Sequence, residues 1–180
     1  GERRKIEAVV IKSDGSTHEK EFKTPQSCQD LIDLLCHSGL WAMMRQRPYD
    51  IIPDPDVRPR DIFVTAFDSA PLAPEMISSS DYGVLEEGLK ALRSLTDGKV
   101  YLGVKFGSGI SSSAAIVTEF VGPHPAGNVG VQINKTAPVN KGEIVWTIGA
   151  EEVIFIGRFF NKGKIDFTRT IALAGSEVKN

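Results

Sequence analysis

Cysteine is scarce in this chain, histidine is little more frequent, and neither sign of charge dominates; each scarcity removes a class of function. The 180 residues contain two cysteines and three histidines. Cys28 and Cys36 stand on one predicted helix, eight positions apart, which is a rise of about 12 Å, whereas a disulfide needs Cα atoms within about 7 Å. They are expected to be free thiols, as suits a reducing compartment, and to act as small buried hydrophobes. His18, His37 and His124 lack metal-ligand spacing, so local motifs assemble no zinc site. With 21 basic and 23 acidic residues the net charge is −2, which gives no field to draw the chain onto nucleic acid or acidic lipid. No apolar run approaches the roughly 20 residues that cross a bilayer, and the opening GERRKIEAVVIK has no signal-peptide core. No GxxxxGK[ST] occurs, which excludes a P-loop.

Apolar segments punctuated by proline and glycine are plentiful, and they order the chain around one stretch. Ile62 to Phe67 is uniformly apolar or β-branched and predicts a strand covered on both faces, as parallel strands in α/β domains are. Asp68, Ser69, Pro71 and Pro74 end it. Ligands of open α/β sheets gather beyond the carboxyl ends of the strands, so the loop from Asp68 to Pro74 is the default site.

Before that strand, Arg3 to Lys23 reads as a hairpin turning at Ser13–Ser16, which two strands alone cannot stabilise and which is expected to continue a preceding domain. Ser27 caps a helix with the stripe Cys28, Leu31, Ile32, Leu34 and Leu35, stopped by Gly39. A short helix over Leu40 to Gln46 is expected next, with Arg45 and Arg47 as a solvated basic pair, then a connector stiffened by Pro48, Pro53, Pro55 and Pro59.

Beyond it, Ser80 or Asp81 starts an amphipathic helix to Thr96, and Lys99 to Lys105 is a strand, making Asp61 to Lys105 a βαβ unit. FGSGISSS (106–113) resembles a dinucleotide fingerprint only in its glycine pair. The strand-like Ile116 to Val121 leaves no room for the required helix, and a surface loop is the plainer reading. GPHPAG (122–127) is rigid, with prolines flanking His124; that histidine could serve a ligand or act as a base, or simply stabilise a turn, since no Ser, Cys or second His stands near it in sequence. Asn128 to Lys135 predicts a helical turn or two, Glu143 to Ile148 a strand, and Ala150 to Lys162 a helix apolar nearly all round, with Glu151 and Glu152 at its positive end and Gly163 as its stop. A last strand is expected over Ile165 to Leu173.

Taken in order, GLWAMMRQRPY (39–49), IFVTAFDSAPLAP (62–74), LTDGKVY (95–101), GPHPAG, VWTI (145–148) and TRTIALAGSEVKN (168–180) resemble the NqrA subunits of the sodium-translocating NADH:quinone oxidoreductases. The resemblance implies a middle fragment: residues 1–23 as the tail of an N-terminal lipoyl-like β domain, then residues 24–180 as a Rossmann-like α/β domain, its mostly parallel sheet flanked by helices as in the flavin- and NADH-binding subunit of respiratory complex I. It further implies a peripheral position on the cytoplasmic face of the bacterial inner membrane, without a tightly held cofactor. NADH and ubiquinone are then substrates of the whole complex, and its other subunits, the membrane-embedded NqrB foremost, are the partners.

Together these readings favour a scaffold and docking domain, with no catalytic residue and no metal ligand. A quinone-accessible cleft formed by Asp68, Ser69, Pro71, His124 and Gly127 is a further expectation. The alternative is a flavin- or nucleotide-binding redox domain using the same strand end and the GSGIS loop.

Overall fold

The computed structural model describes residues 6, 8–10, 12, 14–15, 22–73, 75, 77–169 and 171. Most of the predicted N-terminal hairpin, together with Pro74, Met76, Thr170 and 172–180, lies outside them.

A five-stranded mixed sheet has the order β1-β5-β2-β3-β4, with β1 Arg45–Arg47, β2 Ile62–Thr65, β3 Val100–Lys105, β4 Ile116–Phe120 and β5 Val145–Gly149. Strands β5, β2, β3 and β4 run parallel, and β1 pairs antiparallel with β5. The uninterrupted apolar run of β2 corresponds to its central place, with Ile62, Phe63 and Val64 all buried.

One face of the sheet carries the main core. Ile62, Val64, Val100, Leu102, Val104, Trp146 and Ile148 meet α1 (Cys28–Ser38), α2 (Tyr82–Arg93) and α4 (Ala150–Lys162) there. The opposite face has a small cluster, Phe63, Ile133 and Val145, under α3 (Val129–Thr136), where Phe63 and Tyr101 stack at 4.9 Å. Local chemistry accounts for the helix ends. Ser27 and Asp30 form a capping box on α1, and Gly39 and Gly163 take left-handed conformations at the ends of α1 and α4. Helices α2 and α4 touch backbone to backbone. A Cβ on Gly88 would lie 2.2 Å from the Val153 carbonyl oxygen, and one on Gly157 would lie 1.9 Å from that of Val84.

The structure corrects four expectations. Leu40–Met43 is a 3-10 turn, and Arg45–Arg47 leaves the helix to become edge strand β1, because Gln46 is held between Trp146 on β5 and the Ile51 carbonyl. Arg45 and Arg47 are half-buried rather than solvated; Arg45 donates to the Ala42 and Met44 carbonyls. Residues 165–169 form no strand; the apolar alternation there arises because Phe167 packs edge-on against Phe155 of α4, at 5.3 Å. Finally, Cys36 is exposed and Cys28 half-buried, both free; Cys28 accepts from Arg58 (3.0 Å) and donates to the Ser94 carbonyl (3.2 Å).

Candidate functional site

Because four strands are parallel, the segments leaving β2, β3, β4 and β5 all emerge on one rim. The chain leaves β2 for β3 on one side, while β5 lies on the other, so the strand order reverses at β2, where crevices form in open α/β sheets.

The loop after β2 is built from short-range bonds. The Asp68 carboxylate accepts from the Ala70 amide at 2.8 Å, a turn that aspartate stabilises by mimicking backbone, and Ala73 N donates to the Ala70 carbonyl. Ser69 Oγ accepts from Gly127 N at 2.8 Å and lies 3.4 Å from His124 Nδ1. Thr65 Oγ1 and Gln132 Nε2 both donate to the Gly127 carbonyl at 3.3 Å. A Cβ on Gly127 would sit 2.5 Å from the Phe67 oxygen and 2.6 Å from Ser69 N, so only glycine permits this approach. Asp68, Ser69, His124 and Gly127 are thus brought together across nearly sixty residues of sequence, with Asp68 and His124 exposed and Gly127 buried. Pro71 stands apart, exposed at the loop tip beside Leu72.

His124 and Gly127 lie on the α3 side of this loop. On its α2 side a crevice of ≈ 400 Å³ opens, lined among others by Phe67, Asp68, Glu75, Tyr82, Lys105 and Phe106. Glu75, Tyr82 and Lys105 were not foreseen from sequence, nor were Thr65 and the buried Gln132. The only signal for Gln132 was an amide on the apolar stripe of a short helix.

Acidic groups of the chain itself occupy several of the positions where an anion would bind, the start of α3 being the exception. The first turn of α4 carries Glu151 and Glu152, Glu151 pairing with Arg169 at 3.0 Å. Asp81 at the start of α2 pairs with Arg158 at 3.2 Å. Glu119 accepts from the Gly107 amide at 3.2 Å. Glu86 of α2 accepts from Ser112 Oγ (2.6 Å) and from Ser113 N (3.0 Å) and Oγ (2.5 Å), fastening the serine end of 106–113 to the helix. Burial raises the Glu86 pKa, but these serine hydrogen bonds outweigh it and hold the group below the usual carboxylate range. Among the described residues no cluster of three or more His, Cys, Asp or Glu is placed to hold a metal, and no helix is long and apolar enough to cross a membrane.

Comparison with known proteins matches residues 26–165 to a family model described as the NqrA second alpha/beta domain. Relatives named as the A-type subunit of Na(+)-translocating NADH-quinone reductase are 40% identical in Saccharophagus degradans, 37% in Yersinia pseudotuberculosis and 40% in Serratia proteamaculans. Each alignment takes in 99% of this chain and 42–43% of the relative, so the chain spans about two fifths of the length of the proteins it matches.

Proposed function

The chain belongs to the NqrA second alpha/beta domain family, and from that premise we propose that it is a cofactor-free scaffold and docking domain of the NqrA subunit in a sodium-pumping NADH:quinone oxidoreductase. In this reading residues 24–180 are a Rossmann-like unit that follows a lipoyl-like tail at 1–23 and sits on the cytoplasmic face of the membrane. It holds NqrA against its membrane partners, NqrB among them, while NADH and quinone are handled by the assembly as a whole. The cleft residues Asp68, Ser69, Pro71, His124 and Gly127 serve as structural wall rather than as catalysts.

One observation carries this reading: at the rim the first turn of α4, the start of α2 and the Gly107 amide already have carboxylates of the chain beside them, and α3 alone of the three rim helices begins without one. A phosphate needs unoccupied N–H groups and a positive helix end; here it would meet Glu151, Glu152, Asp81 and Glu119 instead. That weighs against the flavin- or nucleotide-binding alternative. Calorimetric titration of the full-length NqrA protein with FMN and with NADH tests the choice. The expected result is no saturable heat, whereas a Kd near 1 μM, about −8 kcal/mol, would require a preformed site and overturn the proposal.

A further inference from the structure

Three loops on the carboxyl rim each display an apolar residue that folding does not cover. Leu72 after β2 is 102% exposed, Phe106 after β3 is 66% exposed and Val121 after β4 is 81% exposed. Phe106 and Val121 stand at neighbouring strand ends, since Phe106 N donates to the Phe120 carbonyl at 2.9 Å. Leu72 also adopts φ 64°, a left-handed conformation that a leucine enters only at a cost. Neither burial among the described residues nor backbone preference explains a leucine at this position.

The charges around these residues select the contact. Asp68, Glu75 and Glu119 are exposed, and none forms an ion pair among the described residues. The crevice wall between them adds a single lysine, Lys105. An apolar patch within an acidic rim repels anionic lipid headgroups and attracts a cationic protein surface. Loops that membrane proteins leave on the cytoplasmic side carry an excess of Lys and Arg.

We infer that this rim receives a Lys- and Arg-bearing loop of a membrane-embedded partner, with Leu72, Phe106 and Val121 as apolar anchors and Asp68, Glu75 and Glu119 as counter-charges. This rests on the docking function proposed above.

The test uses the assembled pump with the full-length NqrA protein. A photoreactive phenylalanine derivative is placed at Leu72, at Phe106 and, as a comparison site near the strands' amino ends, at Val57, which is 41% exposed. Leu72 and Phe106 are expected to capture a peptide from a membrane-embedded subunit that contains several Lys or Arg, with yield at Val57 about tenfold lower. Combining Asp68→Lys, Glu75→Lys and Glu119→Lys should cut capture at Leu72 by about fivefold or more, and so should raising salt to about 0.5 M. Capture of lipid, of another part of NqrA or of a peptide without basic residues overturns the inference, as does a yield untouched by charge reversal. Partner capture confined to Val57 overturns the rim assignment but leaves a docking domain. Silence at all three sites overturns the docking function as well.

Discussion

The two ends of the sheet differ in how tightly their polar groups are tied together. At the amino ends the polar groups gathered around Arg60 find their partners inside the chain. Arg60 donates to Asp61 (2.7 Å), Glu143 (2.5 Å) and the carbonyls of Ala137 (2.9 Å) and Pro138 (3.0 Å). Asp61 in turn accepts from Lys99 N at 2.8 Å, and the buried Thr96 hydroxyl donates to the Pro59 carbonyl at 2.9 Å. Gly98 completes the closure, since a Cβ there would lie 1.8 Å from the Arg60 oxygen. At the carboxyl ends there remain a crevice and the exposed carboxylates of Asp68, Glu75 and Glu119, with no ion pair among the described residues, while exposed apolar side chains stand at both ends, Leu72, Phe106 and Val121 here and Tyr49, Ile51 and Ile52 after β1. The Arg60 cluster therefore supplies stability at the amino end, and no comparable cluster closes the crevice at the carboxyl end.

Substitutions at the two ends should separate these roles. Gly98→Ala forces the 60–61 and 98–99 segments apart and is expected to cost about 3 kcal/mol, read as a lowered urea midpoint. Arg60→Ala leaves Asp61, whose side chain is 10% exposed, without its cation; because Arg60 itself is 29% exposed, the loss should be nearer about 2 kcal/mol than the larger values of deep pairs. At the other end Glu86→Gln weakens the serine hydrogen bonds by about 1 kcal/mol, seen as faster amide exchange at Ser113 with the global midpoint nearly unmoved. Leu72→Gly should alter stability least, by under about 1 kcal/mol and in the stabilising direction, since glycine takes φ 64° freely. A large loss at Leu72, or none at Gly98, would erase the contrast.

Acidification offers another way to sharpen it. The folded Glu86 pKa lies below its unfolded value, so its contribution is present above the unfolded pKa and is lost as pH falls through the folded one. The protection factor of the Ser113 amide, its exchange compared with that of an unfolded chain at the same pH, should fall over that acidic window, and the Glu86→Gln protein should lack the transition.

Much of this was legible in sequence wherever the signal was local. Ser27, Gly39 and Gly163 bounded two helices, the uninterrupted apolar run of 62–67 marked the central strand, which spans Ile62–Thr65, and the turn-forming residues of 68–74 and 122–127 identified two loops that do meet. What escaped depends on tertiary partners. Arg-Gln-Arg at 45–47 has no strand propensity, and pairing with β5 alone extends it. Glu86 sits among the charged residues of an amphipathic helix, and nothing local links it to serines 26 and 27 positions away. The crevice likewise combines residues from β2, α2 and β3 that no spacing rule connects.

The glycine contact between α2 and α4 has a mechanical consequence. With no side chain between Gly88 and the Val153 carbonyl, or between Gly157 and that of Val84, the helices have no slack at these two points, and a methyl group added at either one would pry them apart.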